Sequence, residues 1–258
     1  MPNLCIKTIS YSLLIACGCY AGISLADEDN VRFVGTLSGG VAFSSEINET
    51  DSVTFGEIDT ETYRYRAEED TETRGVFGGL LGVEMRVMRH LSWQSGVAYY
   101  QTTPFSARGD VTVNANNDPE FSPPYDYTYE VTTRQLLWEN KVLWQWKKRY
   151  YPYLLVGIGA AFNSTSDFIT HHPQEQPFVP TFDGRNTTSF TYSLGLGLDY
   201  AITQHMRLGL GYRFADLCKA GLGDGEYTTF FASTDVKALS PQSHIYTQEV
   251  MAQLTYLM

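Results

Sequence analysis

The sequence predicts an all-β protein in which eight antiparallel strands run up and down around a closed barrel, and three observations favour this class. First, apolar side chains alternate with small or charged ones over long stretches, most regularly from Phe190 to Phe214. Second, short and long connections between these stretches alternate strictly along the chain. Third, the 258 residues are 14% aromatic and only 18% charged, which suits one all-β domain rather than two.

The stretch from Phe190 to Phe214 indicates which kind of barrel to expect. Aromatic and aliphatic residues alternate with threonine, serine, glycine and aspartate up to Tyr200, and the pattern resumes at Leu208 against arginine and glycine. A period of two places successive side chains on opposite faces of a strand. The apolar face, aromatic at its ends, is typical of a surface that meets lipid, and the other face suits a narrow interior. The prediction is a transmembrane barrel of a bacterial outer membrane, with a soluble lipocalin-like barrel as the alternative.

A targeting segment precedes the strands. Lys7 is the only charged residue before Asp27, and an uncharged run follows it. Ser24 and Ala26 fit the small-x-small pattern of a cleavage site, and an acidic segment comes next. We therefore expect residues 1–26 to be a cleaved secretory signal peptide and residues 27–258 to form the outer-membrane barrel domain.

Cysteine usage and net charge restrict the chemistry further. Leu14 to Cys17 resembles a lipobox, so lipidation at Cys17 is the alternative to cleavage after Ala26. Cleavage after Ala26 leaves Cys218 alone, and no intramolecular disulfide can then form. The formal charge of −11 becomes one unit more negative when Lys7 is removed. Nucleic-acid binding needs the opposite charge balance, so no nucleic-acid partner is expected.

Eight segments carry the period-two pattern, and each is at least as long as the roughly 9–11 tilted residues that cross a bilayer. In order they span 31–43, 75–88, 91–102, 127–146, 151–164, 187–203, 206–217 and 244–258. The connections after the second, fourth and sixth segments are short. The other connections are long, polar and rich in turn-forming residues, and they span 44–74, 103–126, 165–186 and 218–243. This alternation predicts short periplasmic turns, long extracellular loops and both chain ends on the periplasmic side.

Each strand presents its own apolar outward face under this prediction. The outward residues of the first five strands are Phe33, Leu37, Val41 and Phe43; Leu81, Val83 and Met85; Leu91, Trp93, Val97 and Tyr99; Leu136, Trp138, Val142, Trp144 and Trp146; and Leu154, Val156, Ile158 and Phe162. Tryptophan and tyrosine prefer the headgroup level of a membrane because their rings are apolar with one polar group. The expected periplasmic girdle contains Trp144, Trp146, Tyr150, Tyr151 and Tyr200. The expected outer girdle contains Tyr99, Tyr127, Tyr129, Phe190, Tyr192 and Phe214.

Two segments carry a resemblance to a known family. Tyr151–Gly159, with the sequence YPYLLVGIG, and Leu194–Tyr200, with the sequence LGLGLDY, resemble strands of the OmpA-type and opacity-type surface proteins. These are eight-stranded outer-membrane β-barrels, and the resemblance in strand pattern extends over residues 27–258. It implies contact with outer-membrane lipid and lipopolysaccharide and recognition by the barrel-insertion machinery. Members typically end in an aromatic residue, and this sequence departs from them by ending in Met258.

The inward faces of the strands predict a network of charges inside the barrel. Five basic and four acidic residues fall on these faces: Arg32, Glu84, Arg86, Glu139, Lys141, Asp199, Arg207, Arg213 and Glu249. The lumen of an eight-stranded barrel is just wide enough to be filled by side chains. We therefore expect these charges to pair and to plug the lumen. A narrow channel for ions or small solutes, in which a charge exchanges partners, is the alternative.

Signatures of catalysis and metal binding are weak. His90 and Ser92 share the His-x-Ser spacing of outer-membrane lipid A deacylases, but the strand pattern places no third carboxylate near them. The adjacent His171 and His172 cannot easily aim at one ion. We therefore expect a protein that is not an enzyme and has no cofactor or metal. A lipid-modifying enzyme embedded in the barrel wall is the less favoured alternative.

The long connections carry the predicted recognition. Residues 44–73 contain ten acidic residues against Arg64 and Arg66. Such a segment is either a solvated loop or a surface that contacts cations or a cationic partner. Arg108, Gly109 and Asp110 in a second loop spell the tripeptide that integrins recognise. A host ligand at this loop is one interpretation, and a chance match of three residues is the other. Tyrosines in and next to these loops indicate that strands continue above the membrane, and they are Tyr63, Tyr65, Tyr125, Tyr127 and Tyr129. The barrel itself is expected to be a monomer.

Overall fold

The computed structural model describes residues 31–46, 50–55, 61–67, 72–113, 125–171, 181–219, 223–228, 233–236 and 244–258. The described residues form fourteen strands: β1 (Val31–Glu46), β2 (Thr50–Phe55), β3 (Glu61–Ala67), β4 (Glu72–Met88), β5 (Leu91–Thr102), β6 (Phe105–Val113), β7 (Tyr125–Trp144), β8 (Tyr150–His171), β9 (Thr181–Phe182), β10 (Asn186–Ala201), β11 (Met206–Lys219), β12 (Gly225–Thr228), β13 (Ser233–Val236) and β14 (His244–Leu257). Within these ranges, no helix is long and apolar enough to cross a membrane.

Eight of the strands close into a ring. The order around the ring is β1, β4, β5, β7, β8, β10, β11, β14 and back to β1, and every neighbouring pair is antiparallel. Each ring strand follows the previous one along the chain, so the connectivity is up and down. The predicted eight-stranded antiparallel barrel is therefore confirmed. Closure pairs the backbone groups of every ring strand on both sides, which a bilayer requires because it offers no hydrogen-bonding solvent.

The two ends of the barrel differ in their connections. Short turns join β4 to β5, β7 to β8 and β10 to β11, and this end is the turn end hereafter. The first residues of β1 and the last residues of β14 also lie there, because Val34 pairs with Leu257 and Met258 donates to the Phe33 carbonyl at 2.9 Å. The opposite end, the loop end, carries the long connections. This is the predicted arrangement of turns, loops and chain termini.

Regular β-structure continues well beyond the predicted strands at the loop end. β7 and β8 remain paired up to Asp126 and His171, and β3 and β6 extend the same sheet, with β2 at its edge. A separate three-stranded sheet contains β9, β12 and β13. The interruption between β5 and β6 falls at Pro104, which has no N–H to donate to the ladder. Parts of the predicted loops are therefore strands, as the flanking tyrosines indicated.

The wall of the barrel is apolar outside and polar inside. The exposed fraction is 71% for Leu37, 74% for Leu81 and 66% for Leu154, whereas it is 0% for Asp199 and Glu249. A soluble barrel would bury its large apolar side chains and expose its charges. The surface is that of a transmembrane barrel, with Trp144 and Trp146 exposed at the turn end, as predicted for a girdle.

Two residues of the predicted outer girdle face the opposite way. Tyr127 and Tyr129 are buried, with exposed fractions of only 6% and 7%. Odd-numbered residues of β7 point inward, as buried Val131 and Thr133 show, and the two tyrosines keep that parity to the loop end of the strand. A register shift between β7 and β8 lies at Thr128, but it does not turn the tyrosines outward. Their assignment to the outer girdle was therefore wrong.

Candidate functional site

Seven of the nine charges predicted for the lumen are buried inside it. Their exposed fractions range from 0% to 6%, and they are Glu84, Glu139, Lys141, Asp199, Arg207, Arg213 and Glu249. All of them occupy inward positions of the ring strands. An ionised group in such a place needs a partner, because burial without compensation costs several kcal/mol.

The ion pair closest to the turn end joins Arg207 and Glu84. The guanidinium donates from Nη1 and Nη2 to both carboxylate oxygens of Glu84, at 2.7 and 2.8 Å. The Gln94 amide donates to the same carboxylate at 2.7 Å. The guanidinium also lies 4.3 Å above the ring of Tyr151. Tyr151 therefore faces the lumen, and its assignment to the periplasmic girdle was wrong. Two parallel hydrogen bonds from the guanidinium and a third from the amide offset the desolvation cost of burying two charges.

The next pair along the lumen joins Lys141 and Asp199. The Lys141 ammonium lies 2.8 Å from the Asp199 carboxylate, donates to Gln253 at 3.3 Å and sits 3.7 Å from the centre of the Tyr153 ring. Tyr153 occupies space that glycine leaves open, because a Cβ at Gly197 or Gly211 would overlap its hydroxyl. Glycine at one position in each of two strands, β10 and β11, therefore leaves room for the tyrosine ring next to the ammonium.

The third pair, Arg213 with Glu249, lies on neighbouring strands, directly opposite each other in register. The Arg213 guanidinium donates from Nε and Nη2 to the Glu249 carboxylate at 2.8 and 3.0 Å, and the Thr247 hydroxyl donates to it at 3.1 Å. The guanidinium also lies 3.7 Å from the centre of the Tyr100 ring.

Glu139 is held differently from the other three carboxylates. The Tyr100 hydroxyl donates a hydrogen bond to its carboxylate at 3.0 Å. The three salt bridges among the described residues do not include it. The predicted network thus resolves into three ion pairs and one tyrosine–carboxylate hydrogen bond. Uncharged partners such as Gln94, Tyr100 and Tyr153 complete it, and their inward parity was the signal that could have identified them.

The remaining two predicted lumen residues lie at the mouth. Arg32 and Arg86 are exposed, and both line a cavity of about 420 Å³ that opens at the turn end. They have the inward parity of their strands, but they stand at the start of β1 and near the end of β4, where the lumen meets solvent. The three salt bridges of the described lumen do not include them, so their assignment to a buried ion-pair network is corrected.

The predicted surface tripeptide lies in a strand and not in a loop. Arg108, Gly109 and Asp110 belong to β6, which is paired with β7 on one side and, from Gly109 onward, with β3 on the other. Arg108 is exposed, but Gly109 is buried and a Cβ there would overlap the ring of Tyr127. The prediction that this tripeptide lies in a loop is therefore corrected.

The histidines also receive definite positions. His90 and Ser92 line the cavity at the turn end, where the lining carboxylate is Glu84, already bound by Arg207 and Gln94. His171 is within 3.3 Å of the Thr128 hydroxyl at the loop end, and His172 lies outside the described residues. Among the described residues, no three His, Cys, Asp or Glu side chains are grouped so that they could hold a metal ion.

Comparison of this fold with solved structures finds outer-membrane proteins. The outer-membrane protease OmpT from Escherichia coli is 7% identical, with 92% of this chain and 99% of that chain covered and a TM-score of 0.49. OprG from Pseudomonas aeruginosa is 12% identical, with 85% and 95% covered and a TM-score of 0.45. Neisserial surface protein A is 12% identical, with 87% and 96% covered and a TM-score of 0.37. The sequence matches no family model and no curated protein.

Proposed function

We propose that this protein is a non-enzymatic outer-membrane barrel that supports the cell envelope and contacts partners through its loop end. The observation that carries the proposal is the pairing of the lumen charges. Glu84, Asp199 and Glu249 each form a buried salt bridge with an arginine or lysine side chain. The interior is therefore a polar core inside an apolar wall. Such a barrel supplies a stable scaffold in the membrane and leaves the loop end for interaction.

The loop end supports this role because much of it is ordered β-structure. An aromatic cluster connects its two sheets: the Phe168 ring lies 5.7 Å from that of Tyr127 and 5.1 Å from that of Phe182. Tyr127 belongs to the sheet that continues from the barrel, and Phe182 belongs to β9 in the separate sheet. A surface that is ordered before binding loses less conformational entropy when a partner arrives.

The proposal includes secretion through a cleaved signal peptide, insertion by the barrel-insertion machinery, contact with lipopolysaccharide and a monomeric state. It also places the turn end in the periplasm and the loop end outside the cell. Fractionation tests the location: the protein should enter the outer membrane and migrate faster on gels when it is not boiled. Recovery as a detergent-free soluble monomer would contradict it.

Site-directed labelling tests the orientation with a matched pair of exposed arginines. In a Cys218→Ser background, Arg66→Cys marks the loop end and Arg89→Cys marks the turn end. A membrane-impermeant maleimide should label the first variant on intact cells and the second only after the outer membrane is permeabilised. The reverse pattern would show that the proposed orientation is inverted.

Deleting a hairpin tests the interaction role. β2 is the edge strand of its sheet and β3 pairs with β6, so removal of residues 50–67 leaves β6 still paired with β7. We expect this deletion to preserve insertion and to abolish adherence of expressing cells to host cells. Removal of residues 225–236, a hairpin of the other sheet, is the matched control. Adherence that survives both deletions would contradict the proposal that the loop end contacts partners.

A narrow channel is the second candidate function, and one observation favours it. The cavity at the turn end reaches Glu84 and Arg207, so water has access to the first ion pair of the lumen. If Arg207 left Glu84 for another partner, the water-filled part of the lumen would extend further from the turn end. Single-channel recordings in planar bilayers separate the two functions. The plugged barrel should show no resolved conductance, and a conductance that rises in Arg207→Gln would favour the channel.

A further inference from the structure

The cavity at the turn end, called the vestibule hereafter, gathers positive charge from separate parts of the chain. Its volume is about 420 Å³. Six of its lining residues are cationic: Arg32, Arg86, Arg89, Lys148, Arg149 and Arg207. They come from the start of β1, the end of β4, two short turns and the start of β11. Only closure of the barrel brings these positions together.

Most of this charge is not neutralised by the vestibule itself. Glu84 is the one Asp or Glu among the lining residues, and it is engaged on both oxygens by Arg207. Arg149 donates to the Tyr200 hydroxyl at 3.2 Å, which raises the pKa of its guanidinium. The full chain carries a formal charge of −11, so the charge of the vestibule is opposite in sign to the net charge of the protein.

The turn that carries Lys148 adds a conformational argument. Lys147 and Lys148 have φ values of 49° and 62°, a left-handed conformation that glycine or asparagine adopts at lower cost. The hairpin nevertheless places lysine at both positions, and Lys148 lines the vestibule. Lys147 lies 4.8 Å from the centre of the Trp146 ring, so Lys148 is the lysine of this turn that adds positive charge to the vestibule.

We propose that the vestibule binds an anion through a phosphate group. Guanidinium groups form paired hydrogen bonds with phosphate oxygens, and several guanidiniums around one cavity can engage one phosphate from different sides. The volume lies in the range of about 300–1,000 Å³ that small-ligand sites occupy, so a phosphate ester or diphosphate fits better than a single small ion. Ser92 and Gln145 supply neutral polar groups at the same surface.

Two sources can deliver this chemistry to the periplasmic side. One is a soluble phosphate-bearing molecule, and the other is the headgroup of an anionic phospholipid in the inner leaflet. The vestibule belongs to the end of the barrel where Trp144 and Trp146 are exposed, which is the level of lipid headgroups in the proposed orientation. Both sources present the same phosphate group to the same arginines.

Calorimetry with sodium pyrophosphate tests the site on the full chain, folded in a non-ionic, phosphate-free detergent. We expect saturable binding that is about tenfold weaker in the double variant Arg86→Gln, Arg89→Gln, because each loses charge-assisted hydrogen bonds. Both side chains are exposed, so the barrel should fold. The double variant Arg134→Gln, Arg185→Gln changes the charge equally at exposed arginines outside the vestibule and should keep the original affinity.

A single change, Lys148→Gln, covers the case in which the first variant does not fold, and it should weaken binding severalfold. Nanodiscs of phosphatidylglycerol or phosphatidylcholine distinguish the sources. At an ionic strength that screens the lipid surface charge, weaker pyrophosphate binding in phosphatidylglycerol discs indicates that the lipid headgroup occupies the vestibule, and equal binding indicates a soluble ligand. The proposal is overturned if pyrophosphate does not bind saturably, or if the control variant loses as much affinity as the vestibule variants.

Discussion

The lumen and the vestibule both contain arginines at inward positions, but the lumen arginine is buried in a salt bridge and the vestibule arginine is exposed outside the described salt bridges. Arg213 in the lumen has an exposed fraction of 1% and lies in a salt bridge with Glu249. Arg86 in the vestibule occupies an inward position of its strand as well, but it is exposed and outside the three salt bridges. The comparison shows that solvent access decides whether a charge needs a protein partner. Because water reaches Arg86, its charge needs no protein partner and remains available for a ligand.

The largest expected effect comes from breaking a buried pair. Glu249→Gln removes the carboxylate that pairs with the buried Arg213 guanidinium, and it should lower the free energy of unfolding by about 3–5 kcal/mol. Urea titration followed by tryptophan fluorescence in detergent micelles measures the loss. The double variant Arg213→Leu, Glu249→Leu should recover much of it, because no unpaired charge remains. An unchanged unfolding midpoint in Glu249→Gln would show that the pair is not buried as described.

Packing under the second ion pair should give the next largest effect. A Cβ at Gly211 overlaps the Tyr153 hydroxyl, so Gly211→Ala should cost about 1–3 kcal/mol through overpacking. The same change in a Tyr153→Leu background should cost less, since the colliding group is gone. Equal losses in the two backgrounds would mean that the glycine serves some other purpose.

Glu139 should be less sensitive than Glu249, although both are buried carboxylates. A glutamine at position 139 can still accept the hydrogen bond from Tyr100, so Glu139→Gln should lower the free energy of unfolding by less than about 1.5 kcal/mol. Tyr100→Phe removes the donor and is the companion variant. If Glu139→Gln costs as much as Glu249→Gln in the same titration, then Glu139 carries a cationic partner after all.

The vestibule should contribute least to stability. Arg86→Gln changes an exposed side chain and should leave the free energy of unfolding within about 0.5 kcal/mol of the original protein. The same urea titration measures it, with Arg134→Gln as a matched exposed control. A loss above that range would place Arg86 in the structural network, and the contrast between lumen and vestibule would then disappear.

The sequence by itself determined the eight ring strands, their order and the faces of most of their side chains. Each of these properties follows from a local pattern, because a period of two assigns every residue of a strand to one face. It therefore predicted that Phe33 and Leu37 face out and that Asp199 and Glu249 face in, and all four do so. The same alternation would have predicted that Tyr127 and Tyr129 face in, because both are odd-numbered like their buried neighbours in β7.

Only the tertiary structure decided which charges meet. Arg207 and Glu84 are separated by 123 positions and come together because the register of the closed barrel sets them at one level. The structure also decided how far each inward position lies from solvent, which separates exposed Arg32 and Arg86 from the buried pairs. Local pattern carries no information about register between distant strands or about depth along the barrel axis. Pairing within the lumen and free charge in the vestibule depend on both.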